Sequence, residues 1–190
     1  MFYFHNNEQE IEEITHFLIS RLEDNYDTKK YSRILNMIVD DWGNTFAHSM
    51  VSFGFKFDKD DLDILKISNF EGESVALLMY KELTVIFEDK DILALSTNDG
   101  LTIAHVMAIE NFIFNDMDIL KFEDKLGCTV AMVSPITEEN FPNIIDVLSI
   151  KSNNGLAEST AHIVFSNPHS ILDLDYTKYK EILKIKNLNG

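Results

Sequence analysis

One six-residue phrase constrains the fold of this chain more tightly than any other feature, because it recurs. Gly43-Asn44-Thr45-Phe46-Ala47-His48 and Gly100-Leu101-Thr102-Ile103-Ala104-His105 are two copies, and Gly127-Cys128-Thr129-Val130-Ala131-Met132 is a third with the histidine replaced. Gly72-Glu73-Ser74-Val75-Ala76-Leu77 is weaker, and Ala157-Glu158-Ser159-Thr160-Ala161-His162 has lost the glycine. The alanines at 47, 76, 104, 131 and 161 are separated by 29, 28, 27 and 30 residues. A second phrase keeps the same register. Asp63-Ile64-Leu65, Asp91-Ile92-Leu93, Asp118-Ile119-Leu120 and Asp146-Val147-Leu148 each begin nine residues before a glycine. Two co-registered phrases at one period identify a repeat array.

Each phrase has a local physical reading. The glycine permits a turn with positive φ, which costs other residues sterically. The Thr or Ser two residues on is placed to cap a helix by accepting from its first free N–H groups. The alanine is small enough to let neighbouring helices approach closely. The histidine can donate at one ring nitrogen and accept at the other, which suits a buried bridge between consecutive turns. The phrase therefore predicts a turn, a cap and a short helix, as over Thr45 to Phe53 and Thr102 to Asn111. The Asp-Ile-Leu segments predict a second helix of two turns, although Leu62, Ile64 and Leu65 would also suit a strand.

These phrases resemble ankyrin repeats, whose pattern runs Gly-x-Thr-Pro-Leu-His followed by x-Ala-Ala-x-x-Gly. Gly43, Thr45, His48 and Gly54 match at the right offsets, as do Gly100, Thr102, His105 and Ala108, with Asn111 at the closing turn. The Pro-Leu pair is Phe46-Ala47 and Ile103-Ala104 here. The period is about five residues short of the ankyrin length of roughly 33, which bears on whether each repeat has a full second helix. The resemblance covers roughly residues 31 to 167. It implies an all-α, ankyrin-like helical repeat solenoid with an N-terminal helical cap.

A chain of 190 residues is one domain or one array on length. The expected organisation is a single domain: capping helices over 1–39, about five repeats over 40–167 and a closing half-repeat over 168–190. The cap would comprise a helix over 8–23, with Ile11, Ile14, Phe17, Leu18 and Leu22 at helical spacing and Asn7 and Glu10 as a capping box. A second helix would turn Tyr31, Ile34, Leu35 and Ile38 to one face. Asn167-Pro168 signals a turn, and Lys178, Lys180, Lys184 and Lys186 would form the wet face of the closing element. The runs Asp58 to Asp63 and Glu88 to Asp91 read as solvated loops.

Charge narrows the partners. The chain carries 16 basic and 32 acidic residues, a formal charge of −16, and residues 34–177 alone account for −16. A nucleic-acid binder needs a basic footprint, so direct nucleic-acid binding is not expected. Nor is attachment to anionic membranes. Apolar runs are too short to span a bilayer, the N-terminus lacks signal-peptide character, and Cys128 stands alone. A cytoplasmic location follows as the expectation.

No catalytic or metal pattern emerges, and no cofactor is expected. His48, His105 and His162 are 57 residues apart, two repeats each time. Stacked helix layers about 10 Å apart would keep such residues about 20 Å from one another, too far to share a metal. Asp58, Asp60, Asp61 and Asp63 lack the glycine and terminal glutamate of a calcium loop. Phosphate-loop, nucleophile-elbow and zinc-helix motifs are missing. His5, His16 and His169 have no partner pattern.

Ankyrin-like arrays are protein-interaction scaffolds, so the resemblance implies a non-enzymatic binding module for a protein partner, such as a host or defence protein. The alternative is an acidic nucleic-acid-mimicking inhibitor, of phage or pathogen type, that occupies the basic groove of a nucleic-acid-binding enzyme. In such an array the turn tips and first helices line one concave face. The candidate contact residues flank the glycines: Asp41, Trp42 and Asn44; Phe70, Glu71 and Glu73; Asn98, Asp99 and Leu101; Lys125 and Leu126; and then Asn153 and Asn154. Trp42, the one tryptophan, either folds back on the N-terminal cap or stands out as an anchor.

Overall fold

The computed structural model describes residues 8–137, 139–141, 144–152 and 159–161. Over these the chain is helical, with ten helices and no strand longer than an isolated bridge. Two compact units divide it, Met1–Asn98 and Asp99–Gly190, called unit 1 and unit 2 below. Asn7 with its capping box, His162, Asn153, Asn154 and the closing element at 168–190 lie outside the described residues.

Unit 1 begins with α1 (Glu8–Asp24) and α2 (Thr28–Leu35). Leu18 and Leu22 of α1 are buried, Ile11 and Ile14 half-buried, and Phe17 is exposed with the Arg21 guanidinium 5.1 Å from its ring centroid. On the expected face of α2 only Leu35 is buried; Tyr31 is half-buried and Ile34 exposed. Ile38 is buried too, but beyond the helix, bridged antiparallel to Thr45. The segment is thus shorter than its apolar spacing predicts, because the chain leaves the helix to enter a hairpin.

Every described turn phrase is such a hairpin. Val39 N–H donates to the Asn44 carbonyl and Phe46 N–H to that of Met37; Asn69 and Val75 repeat this with Glu73 and Ile67. In unit 2, Asp124 donates to Cys128 and Val130 to Phe122. Gly43, Gly72, Gly100 and Gly127 all have φ between 79° and 93°. Helices α3 (Phe46–Ser52) and α5 (Val75–Leu83) follow in unit 1, and α7 (Ile103–Ile109) and α9 (Val130–Val133) in unit 2. Their N-caps are Thr45, Ser74, Thr102 and Thr129. The phrase alanines 47, 76, 104 and 131 are fully buried, and α3 packs on α5 as α7 packs on α9.

The second segments correct the sequence reading. They are α4 (Leu62–Leu65), α6 (Lys90–Leu93), α8 (Met117–Leu120) and α10 (Ile144–Leu148), each about one turn rather than two. Strand is excluded there as well. Two residues past α4, α6 and α8, the amides of Ile67, Leu95 and Phe122 bond back to the carbonyls of Ile64, Ile92 and Ile119, and the chain goes straight to its hairpin. A period of 27 to 30 residues leaves no length for another turn.

Candidate functional site

The turn tips are built from side chains that the backbone itself requires. Asp40, Asn69 and Asp124 stand three residues before Gly43, Gly72 and Gly127, and each Oδ1 accepts two amides. Asp40 takes Trp42 N–H (3.0 Å) and Asn44 N–H (2.9 Å). Asn69 takes Glu71 and Glu73 (3.1 and 2.9 Å), and Asp124 takes Leu126 and Cys128 (2.9 and 2.8 Å). This device was readable as an Asp or Asn at one offset in three phrases, because short Asx side chains fold back on nearby amides.

In unit 1 successive tips are tied into a ladder. Phe70 N–H donates to the Trp42 carbonyl (3.0 Å) and Asn98 N–H to that of Glu71 (2.9 Å). Asn69 Nδ2 donates to Asn44 Oδ1 (2.9 Å), and Asn98 Nδ2 to the Phe70 carbonyl (2.5 Å). The Phe70 ring covers Gly43 so closely that a Cβ there would lie 2.5 Å from it.

Behind the tips, the histidines join one turn to the next. Thr45 N–H donates to His48 Nδ1 (3.2 Å), so that nitrogen is the acceptor and Nε2 carries the proton. Nε2–H then donates to the Glu73 carbonyl of the following turn (3.0 Å). His105 repeats this, with its Nδ1 on Thr102 and its Nε2–H on the Cys128 carbonyl (2.9 Å). Each histidine also closes a capping box on its own threonine, a role usually filled by Glu or Gln. Burial lowers the pKa of both rings, partly opposed by the accepting carbonyl and by Glu73 and Asp40 at His48, or Asp124 at His105.

Met132 stands where a third histidine would. Its Sδ accepts Thr129 N–H at 3.4 Å, yet the Thr129 hydroxyl is buried with no hydrogen-bond partner of ordinary geometry, although the outline of a capping box persists. Cys128 beside it is half-buried, and burial together with Asp124 raises its thiol pKa, the opposite of nucleophile activation.

The candidate contact residues therefore divide. Asn44 and Asn98 hold the ladder, and Glu73 pairs with Lys81 Nζ at 2.7 Å. Asp41, Trp42, Phe70 and Glu71 are exposed together on the tips of unit 1, Trp42 to 65% and Phe70 to 46%. In unit 2, Asp99, Lys125 and Leu126 are exposed, Leu126 to 74%, and Leu101 is half-buried.

Elsewhere in unit 1, Tyr26 Oη donates to Asp61 Oδ2 (2.7 Å) and accepts from Asp58 N–H, while Thr28 donates to Asp61 Oδ1 (3.1 Å). The acidic run at 58–63 is thus partly a structural latch rather than only a solvated loop. Burial drives the Tyr26 phenol well above its ordinary pKa. Among the described residues no helix is long and apolar enough to cross a membrane. No protein-family model matches the chain, and neither does any curated protein or solved structure.

Proposed function

We propose that this chain is a non-catalytic, ankyrin-like repeat module that binds another protein through its turn tips. The observation that carries this reading is the Trp42–Phe70 pair. Two large aromatic side chains stand exposed on adjacent tips that a backbone ladder already holds rigid. Rigid, exposed aromatics are the residues that most often supply interface energy, since little conformational freedom is lost when they are covered. The reducing cytoplasm is the compartment that suits the lone cysteine.

The carboxylates beside the pair favour a second reading, an acidic inhibitor that mimics nucleic acid. Asp41 and Glu71 flank the aromatics, and the whole chain carries −16. Both readings meet in one experiment on a partner recovered by pull-down. Trp42→Ala and Phe70→Ala should each weaken binding by about 2 kcal/mol while the helical circular dichroism is retained. Charge reversal at Asp41, Glu71, Glu73 and Asp99 should mainly slow association and flatten its salt dependence if the partner is basic. A folded protein carrying all six changes with undiminished affinity would refute the tip surface.

A further inference from the structure

Two grooves away from the turn tips share one construction. In unit 1 a groove of about 340 Å³ runs between Asp60 and Leu62 on one side and Phe87, Glu88 and Asp89 on the other. In unit 2 a groove of about 370 Å³ lies between Met117 and the Glu139–Phe141 segment, with Asp146 and Val147 on its wall. Their register is the same. Leu62 and Met117 are the first residues of α4 and α8, and Phe87 and Phe141 each stand three residues before α6 and α10. Recurrence at one register makes the groove a product of the repeat rather than an accident of one loop.

The lining chemistry is also shared. Each groove has an apolar floor, from Leu62 and Phe87 or from Met117, Phe141 and Val147. Each has a carboxylate rim: Asp60, Glu88 and Asp89 against one base, Lys59, in unit 1, and Glu139 and Asp146 with no base in unit 2. Asp89 is fixed at the rim because its Oδ1 accepts Asp91 and Ile92 N–H as the cap of α6. An apolar floor beneath a carboxylate rim matches a long basic side chain, whose methylenes lie on apolar surface while its head stays with the charge. A metal ion is a poor match, since no three His, Cys, Asp or Glu among the described residues converge to hold one. Volumes at the low end for ligand pockets suit a side chain rather than a large molecule.

We propose that each of these grooves takes an arginine or lysine side chain from a basic, extended segment of a protein partner. The surface is separate from the tips, so the two proposals can fail independently. The probe is a short peptide of alternating arginine and glycine, with glutamine replacing arginine as the control, followed by amide shifts in the folded full-length protein. Shifts should concentrate at residues 59–62, 87–89, 115–117 and 139–141, and the glutamine peptide should give none. Asp60→Lys/Glu88→Lys should abolish the unit 1 response and Glu139→Lys/Asp146→Lys that of unit 2, and the four changes together should weaken binding by about tenfold or more. All four residues are exposed, so the helical fold should persist. Glu23→Lys/Glu82→Lys, exposed residues elsewhere, should change affinity by less than about twofold against either groove pair. Shifts centred on 40–44 and 69–73 would overturn the groove proposal while leaving the tip surface standing. Shifts spread evenly over the acidic surface, equal losses in the control variant, or no binding would overturn it too.

Discussion

Both nitrogens of His48 and His105 are committed, Nδ1 as acceptor and Nε2 as donor, so a second proton on either ring would face a backbone N–H. Burial adds to this, and the folded pKa values lie below the ordinary 6.5. In acid the unfolded chain therefore binds more protons at these sites than the native one, and stability rises with pH. Their contribution is complete above about pH 6.5 and is lost as pH falls through the folded values. Melting temperature should drop between pH 7.5 and 5.5, and the drop should shrink in His48→Asn/His105→Asn; an unchanged slope would mean that other groups titrate. At neutral pH, His105→Ala should cost about 1–3 kcal/mol in urea unfolding through the partners it leaves unpaired. The threonines offer a contrast within one protein. Thr102→Val removes a capping hydroxyl that accepts His105 N–H and should cost about 1–2 kcal/mol. Thr129→Val removes a buried hydroxyl that has no hydrogen-bond partner of ordinary geometry and should be close to neutral, within about 1 kcal/mol. Calorimetry on the pair decides between them.

Among the elements, the hairpins are the most tightly specified. Gly72 has φ +80°, and a Cβ on it would lie 2.7 Å from the Asn98 backbone nitrogen of the following turn. Gly54, which ends α3, has φ +89° but open space around it. Gly54→Ala should therefore cost only the left-handed backbone term, about 1–2 kcal/mol. Gly72→Ala adds a clash with backbone that cannot swing away, and should cost about 3 kcal/mol or more in urea unfolding. Equal losses would show that turns close to each other without being tightly packed. The position after α5 or α7 meets the same demand less comfortably. Thr84 and Asn111 occupy the left-handed region at φ 52° and 70°, where a β-branched threonine is the poorer fit.

Across the whole molecule the formal charge of −16 acts against compactness. Among the described residues, Lys66 pairs with Asp91 and Lys81 with Glu73, at 3.9 and 2.7 Å. Salt shortens the screening length from about 30 Å at 0.01 M to about 10 Å at 0.1 M, weakening repulsion between distant carboxylates more than these close pairs. The melting temperature should rise by a few degrees over that range, since about 1 kcal/mol corresponds to about 2–4 °C at this size. A fall in scanning fluorimetry would mean that attractive pairs dominate.

Local features were readable from the sequence because their physics is local. The glycine turns, the Thr and Ser caps, the buried alanines and α1 all arise from interactions within about four residues, and these depend on residue type and spacing. Two further signals are equally local: the Asp or Asn three residues before Gly43, Gly72 and Gly127, and the buried phenylalanines at 57, 87, 114 and 141 that precede the short helices. The all-helical class followed from the same period. Other features wait on the tertiary structure, because their partners lie 23 to 28 residues away and sequence carries no distance between them. The carbonyls that receive His48 and His105, the ring of Phe70 over Gly43, and the ladder that leaves Trp42 exposed are all of this kind. The length of the second helices belongs here too. The periodicity of Asp-Ile-Leu permits two turns, but the next hairpin must meet its neighbour, and that constraint stops each helix after about one.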